Sequence, residues 1–203
     1  MKAFIFDVDG TLIDSYGGIV KTTEKVLKNH NYSLNNIRDF ILDKSVLDLF
    51  IYVSKELNID SNILFKEYDV FREETKFDYT FMPNSIDTLK YLHEKGYKLF
   101  IYTHKGVSTH TIIESNNIDS LFTDVISSEN INFKRKPNPY SLNYIIDKYD
   151  LDRKDTYYVG DRKIDLECAK NAQVKSIYFD NRNSNYPNYD IKINDFSELK
   201  KLF

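Results

Sequence analysis

The chain has 203 residues, 41% hydrophobic and 29% charged, an ordinary balance for a folded domain with room for an insertion. A net charge of −3 argues against bulk attraction to nucleic acid or an anionic membrane, and no apolar run approaches the roughly 20 residues that span a bilayer. One cysteine, Cys168, excludes an intramolecular disulfide, and with no leader-like N-terminus the expected setting is cytoplasmic.

The first element is the most informative. Ala3 to Phe6 is apolar and stops at Asp7, Asp9 and the Gly10-Thr11 turn, which reads as a buried strand ending in two carboxylates. Alternate residues of a strand share a face, so Asp7 and Asp9 are expected to project together. Two carboxylates held close repel unless a cation or a proton lies between them. An EF-hand calcium loop would need Gly at its sixth position and Glu at its twelfth, where this chain has Leu12 and Gly18.

Residues 16–80 carry helical periodicity without a convincing strand. Val46, Leu49, Phe50, Val53 and Leu57 recur at helical spacing, as do Phe65, Tyr68 and Phe71. Asp14 and Ser15 are expected to shape a hinge and cap the first helix of this insert. Pro83-Asn84 then opens a helix that Gly96 stops. From there strands and helices alternate: strand 98–102, helix 107–115, strand 124–126, helix 140–149, strand 156–159, helix 164–172 and strand 175–179. Residues 181–190 read as a surface loop, and 196–202 as a short terminal helix. The alternation predicts an α/β core with a mainly parallel sheet and helices on both faces, formed by 1–14 and 82–203. An all-α insert, 15–81, interrupts it. Abundant Lys, Asn, Ile and Tyr with scarce Ala is read as codon bias.

In open parallel sheets ligands bind beyond the carboxyl ends of the strands. Chemistry-bearing residues fall there: Asp7 and Asp9; then Thr103-His104-Lys105; then Lys134-Arg135-Lys136-Pro137-Asn138-Pro139; then Gly160-Asp161-Arg162, with Asp165 one turn on. Lys134 and Arg135 read as a solvated basic loop. Cys168 reads as a small buried helix residue with no activating partner.

With these residues in this order, the chain resembles the haloacid dehalogenase-like superfamily, in particular its phosphatases with a helical cap. The matching stretches are Asp7-Val8-Asp9-Gly10-Thr11-Leu12-Ile13-Asp14-Ser15, Thr103, Lys136-Pro137-Asn138-Pro139 and Gly160-Asp161-Arg162-Lys163-Ile164-Asp165. The insert takes the place of the cap. The resemblance implies a Rossmann-like core and a phosphatase acting on a small phosphorylated metabolite, phosphoglycolate by default. It implies Asp7 as nucleophile forming an aspartyl-phosphate, and Asp9 as general acid and then base. It further implies a Mg²⁺ ion held by Asp7, Asp161 and the Asp9 carbonyl. Gly10, Thr11, Thr103, His104 and Lys136 would hold phosphate, His104 through its backbone N–H, and Asp165 would support Lys136 or a metal-bound water. In the cap, Tyr16, Arg38 and Lys44 are candidate specificity residues. The implied partner is the metabolite alone, with no nucleic acid or membrane, in a monomer or homodimer. One departure is Gln173 after Ala172, where the family pattern has Ala-Gly. The rival readings are a phosphomutase of the β-phosphoglucomutase type, a pyrophosphatase or nucleotidase, and a non-catalytic phosphate-binding regulatory protein.

Overall fold

Four consecutive apolar residues can be buried on both sides only in the middle of a sheet, and that is where β1 (Ala3–Phe6) lies. In the computed structural model, which describes all residues except 131 and 185, β1 pairs in parallel with two later strands. Ala3 stands opposite Lys98 of β4 (Lys98–Tyr102) on one side and Thr156 of β6 (Thr156–Gly160) on the other. The sheet extends outward to β5 (Asp124–Ile126), β7 (Lys175–Phe179) and β8 (Ile191–Ile193), in the order β5-β4-β1-β6-β7-β8, with every pairing parallel. Strand order therefore reverses at β1, whose carboxyl end is the natural crevice for a ligand.

The two faces of the sheet differ by residue parity. Ala3 and Ile5 join Phe100, Tyr102, Tyr158, Ile145, Cys168 and Ala169 in one buried cluster. Phe4 instead stacks on Tyr157 at 5.2 Å between ring centroids and meets Phe203 edge-on at 4.9 Å. Phe6 and Phe179 both pack against Phe196. Burying each such ring contributes about 1.5–3 kcal/mol. The helices α5 (Ser85–Glu94), α6 (Ser108–Ser115), α7 (Tyr140–Lys148), α8 (Lys163–Asn171) and α9 (Leu199–Leu202) complete this unit. Tyr91 and Tyr97 donate their hydroxyls to the backbone oxygens of Lys200 and Phe203, which ties the C-terminus down.

The chain divides into two compact units, Met1–Asp14 with Phe81–Phe203, and Ser15–Thr80. Two-residue strands β2 (Ile13–Asp14) and β3 (Thr80–Phe81) lie where the chain leaves and re-enters the first unit. The second unit holds α1 (Tyr16–Asn29), α2 (Ile37–Asp43), α3 (Val46–Leu57) and α4 (Ser61–Thr75) around Val26, Leu27, Leu49, Phe50, Val53 and Leu64. On α1 a Cβ at Gly18 would sit 3.1 Å from the Asp78 Cβ and 3.2 Å from two backbone oxygens, so this position requires close approach. Ser45 and Asp60 cap α3 and α4 with side-chain oxygens. Ser15 occupies the N-cap position of α1 without a side-chain cap bond, unlike its expected role there.

The strands expected at 98–102, 124–126 and 175–179 form with those bounds, and the helices shift by a residue or so at their ends. β8 was not foreseen. The expected loop 181–190 leads into it, residue 185 lying outside the described residues. The terminal segment is a 3₁₀ turn, Phe196–Glu198, followed by α9. Among the described residues no helix is long and apolar enough to cross a membrane.

Candidate active site

Odd-numbered residues of β1 face the cluster that contains Tyr102 and Tyr158, and the same parity carries Asp7, just past the strand end, to that face. The Asp7 N–H donates to Val159 O at 2.9 Å, so the ladder continues one residue past β1 and holds Asp7 rigidly. Gly10 then turns the chain with φ of 84°, and Leu12 N–H and Ile13 N–H donate to Val8 O.

The Lys136 side chain, 2% exposed, places Nζ 2.8 Å from Asp7 Oδ1 and 2.8 Å from Asp165 Oδ1. It also lies over two tyrosine rings, 5.3 Å from the Tyr102 centroid and 5.4 Å from that of Tyr158. Tyr158 donates its hydroxyl to Tyr102 O at 3.0 Å and to Asp165 Oδ1 at 3.3 Å. Arg162 N–H donates to Asp165 Oδ2 at 3.0 Å. Gly160 is what lets Asp165 reach this position: a Cβ there would fall 2.3 Å from the Asp165 Cβ. Asp161 accepts from Thr11 Oγ1 at 3.1 Å and forms an ion pair with Arg182 at 2.7 Å.

Carboxylate oxygens of Asp7, Asp161 and Asp165 lie within 4.8 Å of one another, all buried. When all are ionised, the three carboxylates repel one another, with Lys136 and Arg182 in direct contact and Arg162 close enough to act on Asp161. Burial first, then the neighbouring Asp165 and Asp161, pushes the Asp7 carboxyl up to about 7 against the opposing pull of Lys136. Burial also raises Asp161, with Arg182 opposing. Lys136 stays charged, because Asp165 and Asp7 outweigh the desolvation that would lower it. Hard oxygen donors held this close together could hold a small divalent metal ion.

The expected site residues divide as follows. Asp7, Lys136, Asp161 and Asp165 converge. Asp9 does not share their cluster; its Oδ1 pairs with Lys105 Nζ at 2.9 Å. The crowding expected between Asp7 and Asp9 is thus met by two separate lysines. Thr103 is buried beside them, its Oγ1 accepting from Lys105 N–H at 3.1 Å. Gly10 N–H donates to Ile13 O at 2.7 Å and Thr11 N–H to Val8 O at 3.2 Å, so both amides close the turn. His104 uses its imidazole, Nε2 accepting from Lys136 N–H at 2.7 Å. Burial, then Lys136, Arg135 and Arg162, holds the His104 ring well below the usual range and therefore neutral. Cys168 is buried and its thiol is pushed up to about 12, chiefly by burial, which makes it inert.

Within the helical unit, the Arg38 guanidinium lies 5.7 Å from the ring of the buried Tyr16, and Lys44 lies over Phe40 at 5.4 Å. Arg38 and Lys44 are exposed. Sequence reasoning missed two cations of the site. Lys105 had a signal, since it follows Thr103 at a strand end; Arg182 had none, since it stands in a polar loop.

A model described as haloacid dehalogenase-like hydrolase matches residues 4–179. A phosphoglycolate phosphatase of Vibrio cholerae is 29% identical over 184 residues, 85% of this chain and 81% of that protein. A pyrophosphatase of Oceanobacillus iheyensis is 27% identical over 179 residues, 87% of this chain and 82% of that protein. A haloacid dehalogenase-like family hydrolase from Streptococcus pneumoniae superposes with a TM-score of 0.86 at 17% identity, covering 100% of this chain and 98% of that one.

Proposed function

The chain belongs to the haloacid dehalogenase-like hydrolases, whose pattern spans residues 4–179, and from that premise we propose a magnesium-dependent phosphatase that releases phosphate from a small phosphorylated metabolite in the cytoplasm. The observation that carries this reading is Lys136 bridging Asp7 and Asp165 at the switch point of the sheet, with Asp161 alongside. Phosphoglycolate is the first substrate to test, since the Vibrio cholerae relative is named for it.

In this mechanism an Asp7 carboxylate oxygen attacks phosphorus while the bond to the leaving oxygen breaks, and Asp9 gives that oxygen its proton. The product is an aspartyl-phosphate on Asp7. A water then attacks the same phosphorus, Asp9 takes its proton, and the phosphorus–oxygen bond to Asp7 breaks to release phosphate and regenerate the carboxylate. Lys136 supplies a fixed positive charge to Asp7 and the phosphoryl oxygens throughout, at a site where little solvent reorganises. Thr103 lines the phosphate, and His104 holds the backbone of Lys136 in place through Nε2. A bound Mg²⁺, held by Asp7 and Asp161 with the Asp9 carbonyl, would neutralise phosphate charge that these side chains leave uncompensated. Tyr16, Arg38 and Lys44 are proposed to bear on substrate choice.

Phosphate release from a panel that includes phosphoglycolate, pyrophosphate, sugar phosphates and an activated aryl phosphate tests this, with and without Mg²⁺. We expect Mg²⁺-dependent turnover that Asp7→Asn abolishes. Preference for pyrophosphate would favour the function of the Oceanobacillus relative. Turnover that survives Asp7→Asn would remove the covalent mechanism.

A further inference from the structure

Asp161 directly follows β6 with its carboxylate fully buried, and partners within the chain hold both of its oxygens. Thr11 Oγ1 donates to Oδ1 at 3.1 Å, and Arg182 Nη1 donates to Oδ2 at 2.7 Å. The same guanidinium reaches the Asp161 backbone oxygen through Nη2 at 3.2 Å, so it grips the residue at two points. The Arg182 side chain is itself only 18% exposed.

The turn that delivers Arg182 is anchored. Asp180, two residues earlier, is buried, and its N–H donates to Ile193 O at 2.9 Å. Its Oδ1 accepts from Tyr178 OH at 2.9 Å and from Ser184 N–H at 2.8 Å, and its Oδ2 pairs with Lys192 at 2.7 Å. β8, through Ile193 and Lys192, thus fixes the segment that carries the guanidinium. Placement of Arg182 on Asp161 is built into the sheet edge.

A guanidinium is permanently charged and presents its donors in a rigid fork. Mg²⁺ is small and demands near-octahedral oxygen ligands, and a second positive charge a few ångströms away repels it. Both want Asp161 Oδ2, or at least the charge of the carboxylate. We propose that Arg182 is a built-in counter-ion of the cation site: it neutralises Asp161 when no metal is bound, and a divalent cation must displace or share it, so Arg182 sets the affinity for that cation. The inference rests on the reading of Asp161 as a metal ligand. It gives the chain a stable metal-free state, in which a buried carboxylate is not left unpaired. It also weakens metal binding, because the cation must compete with a fixed positive charge for the same carboxylate.

The test is Mg²⁺ affinity, measured by titration calorimetry on the full chain, together with the shift in melting temperature that Mg²⁺ produces. Arg182→Gln should bind Mg²⁺ about tenfold more tightly than the native protein, melt lower without Mg²⁺, and gain more from adding it. Arg182→Lys keeps the charge and loses the second contact, so its affinity should fall between the two; it serves if Arg182→Gln does not fold without metal. Unchanged or weaker Mg²⁺ binding in both variants overturns the proposal while leaving the metal site intact. A native protein that binds no Mg²⁺, with Asp161→Asn behaving like it, overturns the metal reading and this proposal with it.

Discussion

Lys136→Met isolates the charge at the centre of the site, because methionine keeps much of the aliphatic stem between Tyr102 and Tyr158 and removes only the ammonium. The ammonium makes two ion pairs of 2.8 Å, and its carboxylate partners Asp7 and Asp165 have side chains 8% and 1% exposed. Water cannot replace it there. Removing one member of a buried pair typically costs about 3–5 kcal/mol, most of it the desolvation of the charge left behind. We expect Lys136→Met to lose that amount in urea unfolding, as a lower midpoint with an unchanged slope. Asp165→Asn in the same background removes one of the orphaned charges, so the double variant should be less destabilised than the two singles added together. The expected coupling is about 2–3 kcal/mol. Additivity within about 0.5 kcal/mol would show that the ammonium does not hold Asp165, and a cost below about 1 kcal/mol for Lys136→Met alone would refute the role of Lys136 as counter-ion to the cluster.

Gly160→Ala would drive a methyl to 2.3 Å from the Asp165 Cβ, and one or the other must move. Overpacking of this kind costs about 1–3 kcal/mol, and we expect turnover to fall with stability because Asp165 orients Lys136; melting and phosphate-release assays report both. Gln173 has a φ of 57° just past α8, where the family pattern has glycine, so Gln173→Gly should raise the melting temperature by the equivalent of about 0.5–1 kcal/mol. Asp124 would be raised by its burial, but bonds from Lys148, Tyr149 and the Val125 N–H outweigh this and hold it below its ordinary 3.8. Its folded value being the lower one, the stability it adds is full above about pH 4 and is lost as the pH falls further. The advantage of the native protein over Asp124→Asn should therefore shrink in acid, and a constant difference in melting temperature across that range would contradict the assignment.

Asparagine content illustrates the limits of composition. Its abundance reads as codon bias, yet eight of the ten described non-glycine residues with positive φ are Asn, among them Asn58 and Asn84 at helix caps. With six glycines in 203 residues, the chain turns its helices with asparagine, the next most tolerant residue in the left-handed region. Nothing in a residue count distinguishes that use from drift.

What the sequence by itself determined is where strands stop and what stands at their ends. Apolar runs such as Ala3–Phe6 and Leu99–Tyr102 are local signals, and so are the breaks at Asp7, Thr103 and Gly160-Asp161; a parallel sheet then brings those ends to one edge. β8 escaped because Ile191-Lys192-Ile193 is too short to show a period beside a polar loop. The pairing of Lys136 with Asp165 was expected from the motifs, but only the tertiary structure decided which cations meet Asp9 and Asp161. Lys105 reaches Asp9 across 96 residues of sequence, and Arg182 reaches Asp161 from a loop with no motif. His104 works through its ring because folding brings the Lys136 backbone to it. Periodicity and turn chemistry act over a few residues, whereas buried charges choose partners by proximity in three dimensions and by the cost of remaining unpaired.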